Sequence, residues 1–300
     1  MGIPYARGEF VLRGFVRYVR QHSGDHGEAI LADVITRWCA RVAGRKAVTV
    51  GNEFGVIRQL CLHRRRRDPS SHVPEHALAP VKESVFLPYI SSHDEVRRIL
   101  TAARSHNGRF IWASMLHTLI LMLYRTGSRL GEAVRLRRRD VDLDRGILTI
   151  GRSKGRSRIV AIRADLVAAL RGYAAERQRL VSDRQRWDPE AFFVRRDGSP
   201  LTIVSTSTAI RRLLRRLDIK PPDGRIGPRP YEIRHAFAVH RLTAWAKDGV
   251  DIHARLPVLS AYLGPQNVIG TEVYLKATPQ LLELASDRFE QHLRSACPPR

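Results

Sequence analysis

The sequence predicts an α+β fold that is mainly helical, with one small antiparallel sheet confined to the longer of two domains. Three observations carry this expectation. Apolar residues recur at helical spacing through most of the 300 residues. Two short β-branched runs, Ile147–Ile150 and Arg158–Ile162, flank the glycine-containing stretch GRSKGRS. A proline-rich stretch after residue 67 separates a short helical part from a longer mixed one. With 43% hydrophobic residues, the chain has enough apolar side chains to build a core in each part. The expected boundaries are 1–78 for a helical domain, 79–90 for the linker and 91–300 for the mixed domain.

In the first part, Ile30, Val34, Ile35 and Trp38 form one stripe of a helix over Ala29–Cys39, and a second helix runs from Phe54 to His63. It ends in Arg64, Arg65, Arg66 and Arg67. The following Pro69, Pro74, Pro80 and Pro88 forbid continuous helix. Ser91 or Ser92 then caps a helix bearing Val96, Ile99 and Leu100, with Asp94 and Glu95 at its positive end. Phe110–Tyr124 is too short to span a bilayer and is interrupted by Ser114, His117 and Thr118, so it reads as a buried core helix. A glycine-punctuated turn at Gly127 leads into a short amphipathic helix with Leu130, Val134 and Leu136, and the hairpin follows. A third extended piece is expected at Phe192–Val194. From Ser205 onward the pattern is helical, broken at Pro221–Pro230, around Gly249 and at Gly264-Pro265.

Charge narrows the function. The chain carries 52 Lys and Arg against 29 Asp and Glu, a formal net charge of +23. The excess is not a tail: residues 1–90 hold 14 basic and 8 acidic groups, and the remainder hold 38 and 21. Such a field attracts polyanions, nucleic acid first among them. Cys39, Cys61 and Cys297 are odd in number, far apart and without C-x-x-C spacing, which fits neither a disulfide framework nor a zinc site. No secretory signal is evident, and the expected location is the cytoplasm, at the nucleoid, with no membrane partner.

Four pieces of the longer domain occur in a fixed order: TGSRLGE at 126–132, SKGRSR at 153–158, YEIRHAFAVH at 231–240, and YLGPQNVIGTEVYL at 262–275. Together they resemble the tyrosine recombinase (phage integrase) family. Its pattern is T-G-x-R-x-x-E, K-G at a β-turn, H-x-x-R-H, then L-G-H with a tyrosine nine residues after that histidine. The resemblance covers about residues 91–292, and it implies that residues 1–78 are the family's helical core-binding domain. The stretch WAKDGVDIHARLPVLSAYLG and the ending YLKATPQLLELASDRFE are similar to recombinases of mobile elements that encode several such proteins side by side.

The resemblance assigns roles. Arg129 and Arg234 match the two arginines that clamp the phosphate, a task suited to guanidinium groups that remain charged and donate in a fork. Glu132 shares a helix face with Arg129 and matches the acidic residue that orients it or the neighbouring backbone. Lys154 matches the hairpin lysine that acts as general acid on the leaving 5′ oxygen. Tyr274 matches the nucleophile, whose phenol needs nearby positive charge because its ordinary pKa is about 10. Metal and cofactor are not implied, since a covalent 3′-phosphotyrosyl bond conserves the phosphodiester energy. Arg152, Arg156, Arg211 and Arg212, with Arg64, Arg65, Arg66 and Arg67, suit contacts to the DNA backbone; Arg158 crowds the same hairpin tip.

Two departures from the pattern bear on competence. Tyr231 stands where the first histidine of H-x-x-R-H is expected, and Pro265 stands where L-G-H has its histidine. Tyr231 keeps a hydroxyl donor and Pro265 has none. A missing charge-assisted hydrogen bond costs about 1.5–3 kcal/mol, or roughly 10- to 100-fold in rate. His235, one turn after Tyr231, is a candidate to compensate. Two readings stay open. One is a site-specific recombinase or integrase acting on double-stranded DNA. The other is a catalytically weakened subunit of the same fold that works beside active sister recombinases in a homo- or hetero-oligomeric synaptic complex.

Overall fold

The computed structural model describes residues 6–22, 32–75, 88–153, 156–181, 188–223 and 227–264. The chain divides into two compact units, Met1–Phe86 and Leu87–Arg300.

The first unit is built on helices α1 (Ala6–His22), α2 (Ala32–Ala40) and α3 (Ala47–Arg65). Helix α3 begins seven residues before the apolar stripe at Phe54, because Val50 also turns inward. Phe15, Ile35, Trp38, Phe54 and Ile57 form the core, with Phe15 set edge-on to Trp38 at 5.5 Å between ring centroids. Arg41 lies 3.4 Å over the Trp38 ring and is held there by Glu53 at 2.8 Å. Arg64–Arg67 follow at the end of α3, with Arg65, Arg66 and Arg67 exposed.

The second unit opens with α4 (His93–Arg104), and Ser92 is the cap. Its hydroxyl accepts from Glu95 N at 3.1 Å while the Glu95 carboxylate accepts from Ser92 N at 2.8 Å, a reciprocal box that satisfies two orphan donors. Helix α5 (Ala113–Thr126) is apolar nearly all round and buries Met115, Leu116, Leu119, Ile120, Met122 and Leu123. It therefore sits at the centre, packed by α4, by α6 (Leu130–Val134), by α7 (Ala164–Val181) and by α9 (Glu232–Lys247). The helix starts three residues later than the apolar run, since Trp112 is extended and Phe110 is 52% exposed. The sequence reading leaves α7 unassigned. Helices α8 (Ile203–Arg216) and α10 (Ile252–Leu263) complete the described set, with breaks near the expected prolines and glycines. Among the described residues, no helix is long and apolar enough to cross a membrane.

The sheet corrects one expectation. Its strands are β1 (Val141–Asp142), β2 (Ile147–Ser153) and β3 (Arg156–Ala161), antiparallel in that order. Phe192–Val194 is not the extended piece expected, because the backbone bends at Phe192 and Phe193, and it does not join the sheet; it is held by Phe192 N to Leu136 O at 2.8 Å and by a bridge between Val194 and Pro200. Phe192, Phe193 and Val194 are all buried, so this segment lacks the one-faced alternation of a strand on a half-buried sheet. The third strand comes instead from Val141-Asp142. There the Asp142 carboxylate accepts from the backbone N–H of Asp144 and Arg145, and Gly146 at φ 65° completes the reversal.

Candidate active site

The turn between α5 and α6 is the centre of the site. Helix α5 ends at Gly127, whose φ of 60° is the left-handed conformation that glycine adopts without strain. Space demands glycine as well. A Cβ there would meet Leu263 Cδ2 at 2.5 Å and Phe237 Cδ1 at 2.6 Å, so α9 and α10 both close on this backbone. The Thr126 hydroxyl lies 2.6 Å from Met122 O and accepts from Ser128 N at 3.2 Å, fixing the turn from within. Arg129 then caps α6.

Arg234, on α9, is only 4% exposed, and its Nη1 donates to Gly127 O at 2.6 Å. The second motif arginine is thus fastened to the turn that carries the first. Arg129 is 30% exposed and donates through Nη1 to Glu132 at 2.9 Å. Its backbone N–H donates to the other oxygen of the same carboxylate at 2.8 Å. The sequence expectation that Glu132 orients Arg129 or its backbone understates the contact, because it does both.

Glu132 is fully buried at its side chain and has a further partner that sequence reasoning missed. Arg158 on β3 donates Nη2 to Oε2 at 2.9 Å and Nη1 to Oε1 at 3.2 Å, a fork on both oxygens. The sequence reading groups Arg158 with the basic residues at the hairpin tip. In the structure its side chain is 12% exposed and turned inward. A usable signal existed: period two places Arg158 on the face of Val160, which is fully buried, whereas Ile159 is 71% exposed. Burial alone would push the Glu132 carboxyl up, but the hydrogen bonds from Arg158 and Arg129 outweigh it and hold the group at about 2.

The remaining predicted residues divide. Tyr231 precedes α9 and is 42% exposed. His235 lies beneath it, 8% exposed, with the two rings edge-on at 4.8 Å. Burial, aided by the Arg234 charge, lowers His235 to about 4. Burial also raises the neighbouring Glu232. The 3.5 Å approach of His235 Nε2 to Glu232 therefore sets a carboxyl group against a neutral imidazole near pH 7. Arg211 and Arg212 lie on the solvent face of α8, opposite Ile210, Leu213 and Leu214, and Arg211 donates to Ser207 at 2.8 Å. Lys154, Pro265 and Tyr274 lie outside the described residues, as do the side chains of Arg152 and Arg156. Among the described residues, no three His, Cys, Asp or Glu side chains form a group that could hold a metal ion.

Acid should loosen this unit in two stages. His235 and His240 are each lowered from 6.5 to about 4, mainly by burial, and His240 also by His93 stacked on it at 3.7 Å. A histidine with a depressed folded pKa binds fewer protons folded than unfolded, so its stability is present above pH 6.5 and is lost as pH falls toward 4. For His235 the loss is about 3 kcal/mol. Glu132 follows the same sign over a lower window, from 4.5 down to about 2. Thermal unfolding midpoints measured from pH 8 to 3 should fall first below 6.5, and His240→Gln should shrink that first decline. A midpoint flat between pH 6.5 and 4.5 would contradict these assignments.

Comparisons with known proteins bear on the family and the fold. The sequence model of the phage integrase family matches residues 91–280. The integrase/recombinase y4rB of Sinorhizobium fredii is 29% identical over 296 residues, covering 97% of this chain and 93% of that protein. Tyrosine recombinase XerA of Thermococcus kodakarensis is 31% identical over 217 residues, covering 70% of this chain and 66% of that protein. Among solved structures, XerH site-specific recombinase bound to a palindromic difH substrate in a post-cleavage complex superimposes with a TM-score of 0.68 at 18% identity, covering 95% of this chain and 79% of that one. The Tn1549 transposon integrase in complex with transposon right end DNA gives 0.66 at 15% identity, covering 97% and 95%. With the family's sequence model matched across most of the second unit and its fold shared by these structures, the chain belongs to the phage integrase family of tyrosine recombinases.

Proposed function

We propose that this protein is a site-specific DNA recombinase that cuts and rejoins strands through Tyr274. The Tyr274 phenol gives up its proton to solvent as its oxygen attacks a backbone phosphate, forms a 3′-phosphotyrosyl bond and expels the 5′ oxygen, which takes a proton from Lys154. The free 5′ hydroxyl of a partner strand then attacks the phosphotyrosine and releases Tyr274. Charge builds on the non-bridging oxygens in both steps, and Arg129 and Arg234 stabilise it. The observation that carries this reading is the attachment of Arg234 to the Gly127 carbonyl, which holds both motif arginines at one turn. Tyr231, exposed beside Arg234's helix, supplies a hydroxyl donor to the same phosphate, while His235 supports it from beneath as a neutral ring.

In this reading residues 1–78 and 91–300, joined by the linker 79–90, each bind duplex DNA, and the protein acts on the nucleoid. The basic side chains Arg64–Arg67, Arg152, Arg156, Arg211 and Arg212 grip phosphates without reading sequence. The oligomer on DNA brings two sites together, and sister recombinases are candidate partners. Tyr231 and Pro265 favour a second reading, a weakened subunit that positions active partners. One assay separates the two. A nicked suicide substrate built from the element's own ends should trap a covalent protein–DNA adduct with the wild type and none with Tyr274→Phe. An adduct that survives the substitution overturns the nucleophile assignment. Tight binding with no adduct, rescued only by adding a sister recombinase, favours the weakened subunit.

A further inference from the structure

Arg158 stands out because all three of its guanidinium nitrogens hydrogen-bond inside the protein, although it lies in a strongly basic stretch of the chain. Nη1 and Nη2 hold Glu132, and Nε donates to Tyr262 O at 2.8 Å. The contact is returned, since the Tyr262 hydroxyl donates to Ala161 O at 3.1 Å. Gly264 makes room for it. A Cβ at that position would lie 2.8 Å from Arg158 Nη1 and 3.1 Å from its Cδ and Cζ.

We infer that Arg158 is a positioning residue for the strand-transfer site, one that neutralises Glu132 so that Arg129 is not its only counter-charge. The inference rests on the recombinase reading above. A buried carboxylate must be paired. If Arg129 alone carried that duty, Glu132 would compete directly with a DNA phosphate for its guanidinium. Because Arg158 takes both carboxylate oxygens, Arg129 is oriented by Glu132 without being consumed by it. The same side chain fastens the end of α10 to the hairpin. Lys154 lies four residues before Arg158 in sequence, and Tyr274 lies ten after Gly264. One guanidinium therefore anchors the backbone leading to the proposed acid, the backbone leading to the proposed nucleophile, and the carboxylate that orients a clamp arginine.

A charge-balanced mutant cycle tests this on the full-length protein. Arg158→Met should lower the rate of adduct formation on the suicide substrate on the order of 100-fold. Its affinity for duplex DNA should stay within about twofold, and the slope of log affinity against log salt should not change. Adding Glu132→Gln to Arg158→Met removes the stranded charge, and should recover at least tenfold in rate and most of the lost unfolding midpoint. Arg158→Lys, which keeps the charge and loses the fork, should fall between wild type and Arg158→Met. The inference is overturned if Arg158→Met lowers the salt slope by about one, as loss of a phosphate contact would. It is equally overturned if Glu132→Gln brings no recovery in the Arg158→Met background. Absence of any adduct with the wild type would sink the recombinase reading instead. In that event the salt slope and the unfolding cycle still decide whether Arg158 serves Glu132 or a phosphate.

Discussion

Arg234→Ala is expected to reduce covalent adduct formation on the order of 10³-fold while leaving most DNA affinity in place. Removing one preorganised donor from a developing oxyanion typically costs 10²–10³ in rate, and an arginine fork supplies more than one donor. Affinity is spread over the chain's 52 Lys and Arg, so a single buried guanidinium adds little to it. Arg234 also has a structural task, because its Nη1 holds the Gly127 carbonyl at 2.6 Å and ties α9 to the α5–α6 turn. Some loss of stability therefore accompanies the substitution, of about 1–3 kcal/mol for an orphaned buried acceptor. Assaying well below the unfolding midpoint separates the two effects. Arg234→Lys tests the fork: it keeps the charge, and it should recover little of the rate if bidentate geometry matters. Adduct formation within tenfold of wild type for Arg234→Ala would place the phosphate clamp elsewhere.

Glu132→Ala should be the most damaging substitution for stability. It removes the carboxylate that receives Arg158 at 2.9 Å and Arg129 at 2.9 Å, leaving Arg158 with 12% exposure and no counter-charge. Breaking a buried pair by deleting one partner costs about 3–5 kcal/mol. The lost acceptor at Arg129 N adds the cost of a missing helix cap, about 1 kcal/mol. In a unit of about two hundred residues, this total lowers the thermal midpoint by roughly 10–20 °C. Glu132→Gln keeps one acceptor oxygen and should cost less. A surface i,i+3 pair, which is all that the spacing of Arg129 and Glu132 requires, would cost no more than about 0.5 kcal/mol. A fall of under 2 °C on alanine substitution would mean that Glu132 is such a pair.

Elements with strong local causes were legible in advance. The Ser92 cap with Glu95 three residues later, the apolar run that became α5, and the hairpin around GRSKGRS each carry their signal within a dozen residues. Elements that depend on distant partners were not. Strand β1 is two residues long and exists because β2 offers it a ladder, whereas the more apolar Phe192–Val194 is buried by neighbours on all sides and stays out of the sheet. At the proposed site, the family resemblance pointed to Arg129, Glu132 and Arg234, which the fold gathers around one turn. It did not point to Arg158, whose three basic neighbours Arg152, Lys154 and Arg156 made it look like one more surface charge.

By itself the sequence determined the helical class, the hairpin and the family resemblance, from which the proposed chemical roles follow, because periodicity, caps and motif spacing are properties of adjacent residues. Only the tertiary structure decided that one buried carboxylate serves arginines from two elements. Only it decided that Arg234 fastens α9 to the turn at Gly127, and that Gly264 yields space for Arg158. The physical reason is burial. A charge exposed to water is nearly indifferent to its neighbours, whereas a charge removed from water must find a partner wherever the fold brings one, at any distance along the chain.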